Sequence, residues 1–204
     1  MTLPQIETRK GDVVEDYHGT PIADPYRWLE DPADPEVVAW TEAQNRRTRA
    51  FLDAIPARKR IEGRLTRLWD YPRWSIPEKE AGRAFFFKND GLQNQAVLYV
   101  TLAPDADPVE LLDPNALSED GTVAVTAVSA SDDGRLLGYA LAEAGSDWQR
   151  LRVRDVDERD DLPDLIRWCK FSPIAWTRDS AGFFYSRFPE PGTVAAEDAN
   201  NYNT

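Results

Sequence analysis

A hairpin pattern that repeats in the second half of the sequence restricts the fold more than any other feature. Residues 128–140, VSASDDGRLLGYA, resemble residues 175–187, AWTRDSAGFFYSR, and their matched positions lie 46 residues apart. A weaker copy at 78–88, EKEAGRAFFFK, precedes the first by 52 residues. Each copy predicts a strand, an Asp-Gly type of turn and a second, aromatic strand. The matched positions are Ser131 with Thr177, Asp133 with Asp179, Leu137 with Phe183, Tyr139 with Tyr185, Gly82 with Gly134, and Phe87 with Tyr139.

The spacing of these hairpins favours a β-propeller. A four-stranded propeller blade takes ~40 to 50 residues, whereas ankyrin and tetratricopeptide repeats are shorter and helical. We assign residues 73–115 and 122–170 to two blades and residues 173–204 to the start of a third. A β-sandwich with similar hairpins remains an alternative. Because a closed propeller needs ~4 to 8 blades, the chain is predicted to be part of a ring, either as an N-terminal fragment or as an assembly partner.

Short apolar runs after Tyr71, separated by Asp-Gly, Asp-Pro and Ser-Asp turns, predict the strands of these blades. The C-terminal stretch 189–204, PEPGTVAAEDANNYNT, is polar and is predicted to be a loop. The predicted strands are RAFFFK, QAVLYVTL, VELLD, TVAVTAVS, RLLGYALA, QRLRVRDV, PIAWT and GFFYSR.

The first 70 residues have a different pattern. Residues 1–33 contain four prolines and are predicted to be extended and rich in turns, since proline disfavours helix at the preceding residue. Asp34 and Pro35 then predict the cap and first position of a helix. A second apolar helical pattern ends near Tyr71, because Pro72 cannot continue it. The first region, 1–70, is therefore predicted to be an arm followed by two helices.

Composition excludes several classes of protein. With 36 acidic and 24 basic residues, a net charge of −12, the chain would be repelled by nucleic acid and by anionic membrane surfaces. The only cysteine, Cys169, forms no disulfide within the chain and no zinc site by itself. The acidic clusters lack calcium-loop spacing, and no glycine pattern for binding phosphate is present, so no cofactor is predicted. Without a signal sequence or an apolar run of ~20 residues, we expect a cytoplasmic protein.

The sequence lacks the groups of a serine hydrolase. The only histidine, His18, lies in a turn-forming segment, and no Gly-x-Ser-x-Gly elbow is present. The sequence therefore predicts no metal site and no catalytic residue, and the isolated chain should be inactive.

Residues 23–32, ADPYRWLEDP, followed by a helix that contains WTEAQNRRTRAFL, resemble the N-terminus of the prolyl oligopeptidases, cytoplasmic serine peptidases that cleave after proline. The segments LLDPNALSEDGTVAV, GSDWQRLRVRDV and KFSPIAWTRDSAGFFYSR also resemble that family, in the same order. The Glu30-Asp31 pair resembles the prolyl-specific members more than relatives that cleave after basic residues. The resemblance covers most of the chain.

The resemblance implies a mixed fold: an extended N-terminal arm and two α-helices that are part of an α/β-hydrolase domain, followed by the first two to three blades of an all-β seven-bladed propeller. Residues 1–70 would pack on the hydrolase domain, and residues 71–204 would supply the blades. The Ser, Asp and His triad would lie in a C-terminal hydrolase domain that this sequence does not contain. The propeller would act as a size filter. The partners implied are that hydrolase domain and a proline-containing oligopeptide substrate.

Two substrate-binding residues follow from the same resemblance. Phe171, in KFSPIAW, matches an aromatic residue that lines the apolar subsite upstream of the substrate proline, and Asp147, in GSDW, resembles an acidic residue near the same cavity. The alternative for Phe171 is an ordinary core position of a blade. The alternative for the whole chain is a partial propeller that binds another protein without catalysis.

The two predicted helices should have apolar side chains that the hydrolase domain would normally cover. Without the hydrolase core, the apolar side chains of both helices are expected to form an exposed patch. The side chains expected in that patch are Trp40, Phe51, Leu65 and Trp69.

Overall fold

A computed structural model describes residues 5–195, 198, 200 and 201. The chain divides into two compact units, Met1–Arg67 and Leu68–Thr204. The predicted C-terminal loop is partly outside the described residues, since 196–197, 199 and 202–204 are not among them.

The arm of the first unit contains a β-hairpin. Strands β1 (Val14–Tyr17) and β2 (Thr20–Ala23) pair in antiparallel register. The two-residue turn between them places His18 and Gly19 at positive φ, 55° and 86°, and the Gly19 amide donates to Oδ1 of Asp16 at 2.6 Å. The sequence predicted only an extended arm, because neither strand has enough apolar residues to indicate pairing. A short 3₁₀ helix, Arg27–Glu30, follows.

Two helices complete this part of the chain: α1 (Pro35–Asp53) and α2 (Arg58–Trp69). The carboxylate of Asp34 accepts a hydrogen bond from the Glu36 amide at 2.7 Å, which caps the first turn of α1 as the sequence predicts. Pro56 lies between the helices and Pro72 follows the second, so both helix ends precede residues that cannot continue a helix.

The first sheet of the second unit is antiparallel and contains five strands. Strands β3 and β4 both pair with β5, so they form one interrupted strand with Pro77 in the gap. Strands β6 and β7 continue the sheet by consecutive hairpins. The strands are β3 (Arg73–Trp74), β4 (Glu78–Glu80), β5 (Arg83–Asn89), β6 (Val97–Thr101) and β7 (Val109–Leu112).

The second sheet is a four-stranded meander. Its strands are β8 (Val123–Ala130), β9 (Leu136–Glu143), β10 (Gln149–Asp155) and β11 (Asp161–Cys169), hydrogen-bonded in that order. The sequence did not predict β11, because DLPDLIRWC contains Pro163 and several polar residues. As the outer strand of the sheet it has one unpaired edge, where proline is tolerated. Strands β12 (Ala175–Trp176) and β13 (Phe183–Phe184) then form a two-stranded sheet.

The repeat in the sequence corresponds to two turns with the same side-chain hydrogen bonds. The hydroxyl of Ser131 donates to the carboxylate of Asp133 at 2.6 Å, and that of Thr177 donates to Asp179 at the same distance. Each hydroxyl also accepts from the amide five residues further on, at 3.0 and 3.3 Å. A single short side chain thus closes each turn, which explains why Ser and Thr exchange at this position.

The cores lie between successive sheets. One cluster joins the first sheet to the second, and a smaller one joins the second sheet to β12 and β13. Each sheet is formed by consecutive strands and packs on the sheet formed next in the chain, which is the arrangement of propeller blades rather than of a sandwich, whose strands alternate between two sheets. The mixed fold, two helices followed by a partial propeller, is confirmed. The buried members of the larger cluster are Phe85, Leu98, Val100, Leu111, Leu112, Val123, Leu137, Tyr139, Leu141 and Val156.

Candidate functional site

The two residues singled out as substrate contacts lie in neighbouring loops of the second sheet. Asp147 is in the connection between β9 and β10, and Phe171 follows the end of β11. Because the first residue of β10, Gln149, pairs with the last residue of β11, Cys169, these two loops emerge at the same end of the sheet. Asp147 is exposed. The structure therefore brings the two predicted positions to one surface.

Phe171 does not belong to the core. Its side chain is 75% exposed, and its backbone is in the left-handed region with φ 48°. Its neighbours are fixed: Cys169 is fully buried, and Ser172 is 4% exposed. The Ser172 hydroxyl accepts from the Ser186 amide at 2.7 Å and donates to the Pro173 carbonyl at 3.0 Å. An exposed aromatic ring is thus held on an ordered, strained backbone, a combination typical of ligand-contacting positions.

A cluster of aromatic rings around a lysine lies between the two loops. The Lys170 Nζ atom is 4.0 Å from the ring centroid of Trp148 and 5.6 Å from that of Phe188. Trp148 also makes edge contacts with Trp168 at 6.0 Å and with Phe188 at 6.2 Å between centroids. The sequence does not predict this cluster, because a contact between residues 22 positions apart has no periodic signal, although Trp148 adjoins Asp147 and Lys170 adjoins Phe171.

A small cavity of about 210 Å³ borders the same loops. Trp148 and Trp168 supply apolar lining, while Glu143 and Arg150, which form an ion pair with each other, supply charge. A cavity of this volume would accommodate one side chain rather than a cofactor.

The buried polar groups of this sheet have structural roles. The Tyr139 hydroxyl donates to the Asp161 carboxylate at 2.8 Å, and the Arg154 Nε atom donates to the same carboxylate at 2.7 Å. Arg154 also donates to the Leu111 carbonyl at 2.7 Å, which links the second sheet to the first. Burial, and then the hydrogen bond with Asp161, raises the pKa of Tyr139 well above its ordinary value.

Two reactive residue types, the cysteine and the histidine, have structural surroundings. Cys169 is fully buried, and burial raises the pKa of its thiol, so the reactive thiolate is disfavoured. His18 lies in the β1–β2 turn of the first unit. Among the described residues, no three His, Cys, Asp or Glu side chains are grouped so that they could bind a metal ion. Within the same residues, no helix combines the length and hydropathy of a membrane span.

The helices present apolar side chains to solvent. Phe51 is 44% exposed, Ile61 53%, Leu65 55% and Trp69 61%. Leu52, Ile55, Ile61 and Leu65 line an open groove of about 420 Å³. The expectation was wrong for Trp40, which is half-buried and donates from Nε1 to the Thr8 hydroxyl at 2.9 Å, because the N-terminal arm covers it.

The fold places the second unit among β-propellers, and comparison with known proteins gives the family. Residues 4–204 match the sequence model described as prolyl oligopeptidase, N-terminal beta-propeller domain. The chain belongs to the prolyl oligopeptidase family and represents its N-terminal portion.

Individual relatives agree with this assignment. The chain is 39% identical over 185 residues to a prolyl endopeptidase of Elizabethkingia meningoseptica, an alignment that covers 91% of this chain and 26% of the relative. It is 38% identical over 198 residues to prolyl oligopeptidase A of Galerina marginata, covering 87% of this chain and 27% of that one.

Solved structures show the same correspondence. A prolyl endopeptidase structure superposes with a TM-score of 0.91 at 34% identity, covering 98% of this chain and 30% of that one. Prolyl oligopeptidase B of Galerina marginata, bound to a 35-residue hydrolysis and macrocyclization substrate, superposes with a TM-score of 0.81 at 31% identity, covering 92% and 30%. The chain thus spans between a quarter and a third of the length of these relatives.

Proposed function

We propose that this chain is the N-terminal and propeller portion of a cytoplasmic serine endopeptidase that cleaves short peptides after proline. The observation that carries the proposal is the superposition of 98% of the chain on a prolyl endopeptidase structure with a TM-score of 0.91. The catalytic Ser, Asp and His would be supplied by a C-terminal α/β-hydrolase domain, and the propeller would admit peptides by size.

The domain assignment is part of this proposal. Residues 1–70 form the arm and helices that pack on the hydrolase domain, and residues 71–204 form blades at about 73–115 and 122–170 and the start of a third at 173–204. The sheets at Arg73–Leu112 and Val123–Cys169 support the blade limits. The exposed apolar groove of the helices supports their packing on another domain, because such a surface is unfavourable in water unless another surface covers it.

Phe171 and Asp147 are proposed to contact the peptide upstream of its proline. The exposed ring of Phe171 supports this role, because an aromatic face covers a peptide side chain with little loss of rotamer freedom. The position of Asp147 in the adjoining loop supports an interaction with a polar or positively charged group of the same peptide.

The test of this function uses the coding sequence that follows Thr204 in the genome. We expect that sequence to continue in frame and to encode a Gly-x-Ser-x-Gly motif. The longer product should cleave a chromogenic peptide after proline and spare the matched peptide with alanine in place of proline, whereas residues 1–204 alone should be inactive. A stop codon directly after Thr204, or turnover by residues 1–204 alone, would contradict the proposal.

The size filter is tested separately with the longer product. Peptides with the same proline site, but lengthened step by step from about ten residues to a folded domain, should lose kcat/KM sharply once they no longer enter the propeller. Equal cleavage of a folded protein and a short peptide would exclude a filter.

A second candidate, a non-catalytic interaction module, is favoured by the short third sheet, in which Phe184 is 72% exposed. Such a module should form a defined oligomer with its sheet edge paired, because an open edge invites aggregation. Sedimentation that shows an aggregating chain would argue against this candidate, and a discrete, stable oligomer of residues 1–204 would support it.

A further inference from the structure

Two loops of the second sheet are joined by one cation–π contact. Lys170 precedes Phe171 in the chain, and Trp148 follows Asp147, so the contact between the Lys170 ammonium and the Trp148 ring lies directly beside both proposed substrate contacts. At 4.0 Å from the ring centroid, the ammonium is well within the distance at which such contacts are attractive.

The lysine is held from several sides. Its ammonium donates to Oδ1 of Asn200 at 2.7 Å and lies 5.6 Å from the Phe188 ring centroid. Phe188 is itself fixed, since its amide donates to the Trp168 carbonyl at 2.8 Å. The edge contacts of Trp148 with Trp168 and Phe188 close the cluster. A long, flexible lysine side chain held this way has lost most of its rotamer freedom, which an ordinary surface lysine keeps.

The backbone beside the lysine is strained. Trp168 has φ 65° and Phe171 has φ 48°, so two bulky residues within four positions adopt the left-handed conformation. Such conformations persist only where the surrounding structure enforces them. The buried residues Cys169 and Ser172 hold the strand end and the following segment, and Lys170 is the remaining anchor next to the exposed Phe171 ring.

We propose that Lys170 and Trp148 are a positioning pair that fixes the placement of Phe171 relative to Asp147 and thereby sets the selectivity for the residues upstream of proline. This inference rests on the proposed peptidase function. The substrate class it names is a proline peptide extended by apolar residues on its N-terminal side, because an apolar side chain buries surface against the exposed Phe171 ring. Neither residue needs to touch the peptide for this effect.

The test uses the protein expressed with the coding sequence that follows Thr204. Two peptides are compared: a short one with a small blocking group before proline, and one extended upstream by two apolar residues. Lys170→Met keeps the aliphatic stem but removes the charge, and Trp148→Leu removes the ring. Each should raise KM for the extended peptide about fivefold more than for the short one, with a smaller effect on kcat. Lys170→Arg should restore the wild-type ratio, because guanidinium also binds an aromatic face.

The matched control is Lys79→Met, which removes a charge from an exposed strand position and should leave the ratio of the two KM values unchanged. The double variant Lys170→Met with Trp148→Leu should lose less than the sum of the two single variants, because both remove the contact between Lys170 and Trp148. Equal effects on both peptides, failure of Lys170→Arg to restore the ratio, or additive single effects would overturn the positioning role.

A second measurement separates this proposal from the proposed function. Hydrogen exchange of the Ser186 and Phe188 amides, which donate to the Ser172 hydroxyl and the Trp168 carbonyl, should become about fivefold faster in Lys170→Met and Trp148→Leu, but not in Lys170→Arg. If the wild-type protein cleaves no proline peptide, the proposed function fails while the exchange result still decides the positioning role. Exchange at the wild-type rate in both variants would overturn it.

Discussion

Replacing Asp161 with alanine should destabilise the second unit by about 3 kcal/mol. The Asp161 carboxylate accepts from the Tyr139 hydroxyl and from the Arg154 Nε atom, and its side chain is only 21% exposed. Arg154 is 17% exposed and is also bound to the Leu111 carbonyl between the sheets, so it cannot turn to solvent when its counterion is removed. Tyr139 has no exposed surface, so its hydroxyl loses its partner without gaining water.

The magnitude follows from two contributions. Breaking a buried ion pair costs about 3 to 5 kcal/mol, which partial exposure of this pair reduces. An orphaned buried hydroxyl adds about 1 to 3 kcal/mol, and part of both costs is recovered by relaxation. Tyr139→Phe, which removes one hydrogen bond but leaves the ion pair intact, should cost about 1 kcal/mol. The control Glu143→Ala breaks the exposed pair with Arg150 in the same sheet and should cost less than about 1 kcal/mol.

Urea unfolding followed by tryptophan fluorescence gives these free energies, and hydrogen exchange of β9 and β10 assigns the transition to the second unit. The expected order of destabilisation is Asp161→Ala, then Tyr139→Phe, then Glu143→Ala. A loss below about 0.5 kcal/mol for Asp161→Ala, or a larger loss for Tyr139→Phe than for Asp161→Ala, would refute the reasoning.

Three further predictions concern other parts of the chain. Asp34→Ala should destabilise α1 by about 1 kcal/mol through loss of its cap, seen as faster exchange of the first-turn amides, whereas Asp53→Ala at the other end should not. Ala81→Gly should stabilise the β4–β5 turn by about 0.5 to 1 kcal/mol, because Ala81 has φ 48°, and Ala84→Gly in the adjoining strand should do the reverse; unchanged unfolding midpoints for both would contradict this. Because burial raises the pKa of the Cys169 thiol above its ordinary 9.0, the folded state binds that proton more tightly, and stability should fall as the pH rises above about 9. Cys169→Ala should flatten that alkaline loss, and a native thiol that reacts with a disulfide reagent as fast as the unfolded one would show that it is not buried.

The strands and turns of the second unit could be predicted because each is a local pattern. Ser131 and Thr177 close identical turns through bonds to residues two and five positions away, and such contacts repeat wherever the sequence repeats. Asp34 likewise acts on an amide two residues away. Strand β11 was missed because its place at the outer edge, rather than its own composition, makes Asp161–Cys169 a strand.

The candidate site could be predicted only in part. Resemblance gave Phe171 and Asp147, but the contacts that hold them come from residues distant in sequence. Trp40 shows the same limit on the first unit, since its helical spacing indicates an apolar face but does not reveal that Thr8 in the arm covers it. Long-range packing of single side chains leaves no period in the sequence.

A bulge near the end of β11 sets which side of the sheet the last residues of the strand face. Between the paired positions Gln149–Cys169 and Leu151–Ile166, β11 has one residue more than β10. Trp168, at φ 65°, lies in this irregular stretch. Since a shift of one residue turns every later side chain to the opposite face of a sheet, this extra residue determines which side chains after Ile166 face the core. The bulge therefore accounts for the burial of Cys169. Phe171 lies beyond the end of the strand, and its left-handed backbone, with φ 48°, allows its ring to be exposed beside a lysine held on Trp148.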